Sequence, residues 1–266
     1  MSRPLIFTDL DGTLLDHHTY RFDEAEEMLR YLQKNDIPLI IVTSKTRPEV
    51  LRLQERLRIR APFIVENGAG AFIPAESGLG GSPSDDPQWH ALSAAKPYLE
   101  IRLFLKRMQE EYPVRGFEDM DVGEVMALTG LAEADAREAM RRDYTEPFVT
   151  EDESCIPQLR EKALRVGLDV VEGGRFYHLI TRGEDKGHAV RQMAALYARH
   201  YGEAVRIIAL GDGANDLPML QAADEGVLIP RYDGSYAPIF EAGMRKAPYA
   251  GPKGWNHMLK ELLHVC

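Results

Sequence analysis

The sequence predicts a doubly wound α/β fold with a parallel sheet, interrupted by a smaller α+β insert. Short apolar runs alternate with stretches of helical periodicity, the pattern of strands joined by crossover helices. That rhythm breaks after a Gly-, Ser- and Pro-rich stretch, Ser77 to Pro87, which reads as a loop or connector, and it resumes near Asp185.

Leu5-Ile6-Phe7 is the first strand, running into an acidic, glycine-containing turn. Asp23 to Lys34 carries Ala25, Met28, Leu29 and Leu32 at helical spacing. Ile37 to Val42 is a second strand ending at Thr43-Ser44, and Pro48 to Arg58 a second helix. Phe63-Ile64-Val65 is a third strand, ending at Glu66-Asn67-Gly68. Tyr98 to Glu111 and Leu131 to Arg142 read as helices, and Gly167 to Thr181 as two short strands around Gly173-Gly174. Asp185 caps a long amphipathic helix that Gly202 stops. Arg206 to Leu210 is again a strand, followed by GDGAND, a helix starting near Pro218 and a last strand, Gly226 to Ile229. The expected division is a core of residues 1–95 and 185–266 around an insert of residues 96–184.

Composition narrows the function. The chain has 32 basic and 42 acidic side chains in 266 residues, a formal charge of −10 with His neutral. That balance argues against capture of nucleic acid or an anionic membrane, both of which need clustered cations. No apolar stretch approaches the ~20 residues of a membrane helix, and the N-terminal apolar run is too short for a signal peptide. Cys155 and Cys266 make no disulfide framework. A soluble, cytoplasmic protein is expected; the sequence does not set its oligomeric state.

The acids of interest stand at strand ends, where open α/β sheets bind ligands. Asp9 and Asp11 are two apart, so on an extended chain they lean to one side. Carboxylates packed together repel, and a hard divalent cation such as Mg2+ relieves them. Asp212 and Asp216, at another strand end, complete such a site. A lone pair of this kind is more often a turn or a cap. An apolar strand entering DLDGTLLD, with a distant one entering GDGAND, is far more specific.

FTDLDGTLLD, VTSKT, the Lys186 of EDKG and LGDGANDLPML resemble, in order and spacing, the four motifs of the haloacid dehalogenase superfamily of phosphatases. The wide gap between the second and third motifs is similar to members with a large α/β cap of the C2 type. The resemblance implies a Rossmann-like core, a mobile cap and Mg2+-dependent phosphoryl transfer through an aspartyl-phosphate. It makes Asp9 the nucleophile and Asp11 the acid and then the base. It has Mg2+ held by Asp9, the Asp11 main-chain carbonyl and Asp212. Thr43, with Ser44 beside it, Lys186 and Asn215 would hold the phosphoryl oxygens. Asp216 would ligate or orient the metal, or only fix Lys186; the sequence leaves these open.

GFEDMDVGEV, LTGL, RRDYTEPF and GGRFYHLI, with SKTRPEV, VENGAGAF and KPYLEIR, are similar to the mannosyl-3-phosphoglycerate phosphatase family. That resemblance implies a small phosphorylated sugar as substrate and mannosylglycerate, a compatible solute, as product. The alternatives are a phosphatase of another sugar phosphate, or a phosphotransferase or mutase on the same scaffold. Lys45 and Arg47 suit a second anion such as a carboxylate. Glu66 and Asn67 are candidates for sugar hydroxyls. In the insert the candidates are Arg175, Tyr177 and His178; on a regular strand the first two share a face and His178 takes the other. GDGAND departs from relatives that carry Ser or Pro in that loop.

Overall fold

In a computed structural model, residues 2–172, 176–238 and 243–265 are described. Arg175 lies outside them. The first half-core runs β1 (Arg3–Thr8), α1 (Glu26–Lys34), β2 (Leu39–Val42), α2 (Arg47–Leu57), β3 (Phe63–Val65), β4 (Gly70–Pro74), β5 (Ser82–Pro83) and β6 (Trp89–Leu92). There follow α3 (Tyr98–Met108), β7 (Val114–Gly116), α4 (Val122–Thr129), α5 (Glu133–Ala139), β8 (Glu146–Thr150), α6 (Ile156–Arg165), β9 (Leu168–Glu172) and β10 (Tyr177–Thr181). The chain then returns through α7 (Lys186–Tyr201), β11 (Val205–Gly211), α8 (Leu217–Gln221), β12 (Glu225–Leu228), β13 (Arg245–Lys246) and α9 (Gly251–Leu262).

Among the described residues the large sheet has the order β13-β12-β11-β1-β2-β3-β4-β6-β5. It is parallel from β13 to β3 and antiparallel from β3 outward to β5. Strand alternation assigns side chains to two cores. Ile6, Ile41, Phe63 and Leu210 pack with Met28 and Leu32 of α1, Val50 of α2 and Trp255 and Leu259 of α9. Leu5, Phe7, Ile40, Ile64 and Ala209 pack with Val190 and Met193 of α7 and Met219 of α8. Both faces are therefore covered, which is why the parallel strands read as continuous apolar runs. The stretch expected to be a connector is part of this sheet: β5 and β6 form an antiparallel edge on β4.

The second sheet, β7-β8-β10-β9, is antiparallel and carries its own core of Leu105, Phe148, Leu159 and Leu179. Its segment meets the large sheet through α5, whose Glu138 main-chain carbonyl accepts a hydrogen bond from Thr46 Oγ1 at 3.0 Å. Asp135 of α5 also pairs with Arg52 of α2. In the large sheet, the strands following β1 in the chain, β2 and β3, lie on one side of it, and β11 and β12 lie on the other. The carboxyl ends of β1, β2, β3 and β11 meet at this switch point, the place where such sheets bind ligands.

Candidate active site

Asp9 follows β1 directly, its main-chain N–H donating to Leu210 O at 2.9 Å. The chain then turns tightly, with Leu15 N donating to Leu10 O at 2.8 Å. Gly12 sits at φ 80°, and a Cβ there would fall 2.7 Å from Asp212 Oδ2, so glycine lets the β1 turn approach the β11 loop.

Lys186 is the first residue of α7 because Asp185 caps that helix, its carboxylate accepting from His188 N at 2.7 Å. The side chain is buried, and Nζ donates to Asp9 Oδ1 at 2.7 Å and to Asp216 Oδ1 at 2.5 Å. The other Asp216 oxygen accepts from Asp212 N at 3.0 Å and Gly213 N at 2.9 Å. Asp216 therefore holds both the lysine and the β11 loop. A helix start is unfavourable for a cation; two carboxylates hold this one there, and they keep its ammonium protonated well above the ordinary range.

Carboxylate oxygens of Asp9, Asp212 and Asp216 come within 4.8 Å of one another. Burial, with Asp216 nearby, pushes Asp9 up to about 7 against the pull of Lys186. Burial and the neighbouring Asp9 push Asp212 up to about 8. A cluster of hard oxygen donors whose charges disfavour one another fits a divalent cation such as Mg2+.

The β2 and β3 ends interlock around this cluster. Thr43 is buried, and its hydroxyl accepts from Lys45 N at 3.2 Å. Lys45 Nζ pairs with Asp11 Oδ2 at 2.8 Å and lies 3.9 Å from Glu49 Oε1. Asp11 Oδ1 is buried without a hydrogen-bond partner among the described residues. Glu66 and Asn67 both take positive φ, 52° and 61°, an uncommon backbone for residues other than glycine. Their N–H groups donate to Lys45 O at 3.0 Å and Thr43 O at 2.9 Å. Gly68 follows at φ 101°, where a Cβ would lie 2.2 Å from Asp185 O. Asn215 Nδ2 donates to Asn67 Oδ1 at 3.1 Å, joining the β3 and β11 loops.

These strand ends open on a cavity of about 720 Å3 whose wall includes Asp9, Asp11, Ser44, Lys45, Asp212 and Asn215. His178 lines it too, with Phe176 and Pro147, because alternation along β10 turns 176 and 178 to the cavity. Four candidate substrate contacts are not on that wall, Asn67 among them, its amide oxygen taken by Asn215. Tyr177 takes the opposite face and stacks on Phe148 at 5.7 Å, within the core of the small sheet. Arg47 reaches outward to Asp85 at 2.5 Å and lies over the Phe72 ring at 4.9 Å. Glu66 is fully buried, and its carboxylate accepts from Asp143 N (2.7 Å), Tyr144 N (3.2 Å), Thr145 N (2.8 Å) and Thr145 Oγ1 (2.8 Å). That carboxylate anchors the segment before β8 rather than presenting itself to a ligand. Sequence reading missed Arg142, on the cavity wall although only 9% exposed. Its signal was a basic residue within RRDYTEPF, a segment already singled out.

Strand-end carboxylates around a buried lysine, facing a cavity of this size, equip the crevice for phosphoryl-ester hydrolysis. The chain belongs to the haloacid dehalogenase-like hydrolase family, which it matches over residues 6–78 and 148–230. It is 42% identical over 261 residues to a glucosyl-3-phosphoglycerate/mannosyl-3-phosphoglycerate phosphatase of Persephonella marina, covering 98% of this chain and 97% of that protein. A protein of the same description from Methanococcoides burtonii is 38% identical, with 97% of each chain covered. The fold is shared with a crystal structure from Thermoplasma acidophilum at TM-score 0.72 and 20% identity, over 99% of both chains. The chain is a phosphoric monoester hydrolase.

Proposed function

We propose that this phosphatase hydrolyses mannosyl-3-phosphoglycerate, and its glucosyl counterpart, to the glycosylglycerate and phosphate, with Mg2+ as cofactor and an aspartyl-phosphate on Asp9. The observation that carries the reading is the contact of Lys186 with Asp9 and Asp216 beside the cavity, in a chain similar almost end to end to phosphatases of that description.

Asp9 attacks phosphorus and forms an acyl phosphate while the bond to the leaving oxygen breaks. Asp11, its free oxygen at hand, gives that oxygen a proton. Water then attacks the acyl phosphate, Asp11 takes its proton, and phosphate leaves with the Asp9 carboxylate restored. Lys186 and the Asn215 amide hold phosphoryl oxygens. The Thr43 hydroxyl accepts from Lys45 N–H and so keeps its own proton for the phosphoryl group, with Ser44 beside it on the wall. When bound by Asp9, the Asp11 carbonyl and Asp212, Mg2+ offsets the repulsion between carboxylate and phosphate. Residues 96–184 act as the cap over a core of 1–95 and 185–266, excluding water as they close.

Phosphate release from mannosyl- and glucosyl-3-phosphoglycerate with Mg2+, beside a panel of hexose phosphates, tests this. Preference for simple hexose phosphates refutes the substrate.

A further inference from the structure

Arg142 and His178 come from different parts of the insert, the connection before β8 and the strand β10, yet line the same cavity as Asp9 and Asp11. Neither is exposed, at 9% and 7%. His178 Nδ1 is buried with no hydrogen-bond partner among the described residues. Arg142 Nε faces Glu66 Oε2 at 3.3 Å in a buried ion pair, short of hydrogen-bond geometry. Three main-chain N–H groups and the Thr145 hydroxyl also serve that carboxylate. The guanidinium is held further by its Nη2, which donates to Ser44 O at 3.2 Å and Thr145 Oγ1 at 2.7 Å. It is thus fixed against the loop that follows β2, at the edge of the reaction centre.

A buried polar nitrogen without a partner on a cavity wall, as His178 Nδ1 is, is costly and marks where a ligand's polar group belongs. Burial and the nearby charge of Arg142 hold His178 neutral, down to about 3, so its ring does not repel the guanidinium. Two further cations line the cavity: Lys45, which is paired with Asp11, and Arg231, which follows β12.

We propose that Arg142 and His178 form a subsite for a carboxylate on the phosphate ester. With Nη2 and Nε occupied, the guanidinium offers its charge and its Nη1 donors to one carboxylate oxygen, and a neutral imidazole in its Nδ1–H tautomer adds one donor without a second full charge. Under the function proposed above, on which the identity of the ligand rests, this group is the glycerate carboxylate. The subsite does not depend on the sugar.

The test compares two ester pairs that differ by the carboxylate: 3-phosphoglycerate with glycerol 3-phosphate, and glycosyl-3-phosphoglycerate with the matching glycosylglycerol phosphate. The wild-type enzyme should favour the acid in kcat/KM by on the order of 10- to 100-fold. His178→Ala and Arg142→Lys should each collapse that ratio toward unity. A wild type indifferent to the carboxylate overturns the proposal, as does a ratio that survives in His178→Ala. Arg142→Lys can unsettle the Ser44 and Thr145 contacts, so His178→Ala is the decisive variant. Should the wild type ignore glycosyl-3-phosphoglycerate yet keep its preference for 3-phosphoglycerate, the sugar assignment fails and the subsite stands.

Discussion

Lys186 Nζ donates to Asp9 Oδ1 at 2.7 Å from within a fully buried side chain, so the residue proposed to attack phosphorus is held by a cation that water does not screen. Asp216 is the other partner, and its contact places three ionisable groups in one short row. Lys186→Met leaves the two carboxylates facing each other. At pH 8 the variant should lose roughly 3–5 kcal/mol of stability, as for a broken buried pair. At pH 5 the loss should be smaller, because the acids can take protons. Turnover should fall by on the order of 10²–10³-fold with the missing phosphoryl contact. Denaturant melts in EDTA at the two pH values check the first part; an equal loss at both contradicts it.

The same acids set a pH dependence for the metal-free protein. Folding raises Asp9 from the ordinary 3.8 to about 7 and Asp212 from 3.8 to about 8. Between about pH 4 and pH 8 the folded state therefore binds more protons than the unfolded state, and these groups make stability fall as pH rises. Mg2+ binds the deprotonated cluster, so its stabilising increment should grow from pH 5 to pH 8. Thermal melts with Mg2+ and with EDTA read the increment directly. An increment that is flat or largest at pH 5 counts against Asp9 and Asp212 as ligands.

The two β1 aspartates separate by the step they block. Asp9→Asn should cut phosphate release by at least ~10³-fold and form no acyl phosphate. Asp11→Asn, given p-nitrophenyl phosphate, should accumulate phosphoprotein, because an activated leaving group needs no proton while the attacking water still does. Intact-protein mass after a rapid quench distinguishes them. Phosphorylated Asp9→Asn would overturn the nucleophile assignment.

Glu66 is where the third strand end grips the inserted segment. Glu66→Ala removes one acceptor from Asp143 N, Tyr144 N, Thr145 N and the Thr145 hydroxyl together. Leaving buried donors unpaired should cost about 3–5 kcal/mol. The Arg142–Thr145 stretch should become a site of limited proteolysis while the large sheet keeps its secondary structure. Uniform loss of structure in urea, with no early nick, would show that Glu66 serves the whole fold instead.

Much of this was legible because apolar strands ended in polar residues. β1, β2, β3 and β11 announced themselves as continuous hydrophobic runs with Asp9, Asp11, Asp212 and Asp216 at the ends of two of them, while Lys186, at a helix start, stood out only through the resemblance. The antiparallel extension was not legible, since β5 is two residues long and its stretch carries loop composition. In α9, Trp255, Met258, Leu259 and Leu262 stand at helical spacing and were passed over. Period two could separate Tyr177 from His178 but could not say which face of β10 meets the cavity; the helices packed on the other face decide that. The anchoring role of Glu66 was beyond reach for a different reason: it comes from contacts with residues remote in sequence, whereas Arg142 left a trace only as a basic residue within RRDYTEPF.

The outermost strands of the large sheet, Ser82–Pro83 and Arg245–Lys246, are each two residues long and exposed at both positions. Long unpaired strand edges recruit other chains, and short edges carrying proline or cations discourage them. Pro83 has no N–H to offer, and Arg245 spends its charge on Glu225 and Glu261. A wide twisted sheet thus ends on both sides in positions where a further strand finds little to pair with. Replacing Pro83 or lengthening either edge would open the molecule to growth by strand addition, a failure that would show as aggregation while the reaction centre stayed intact.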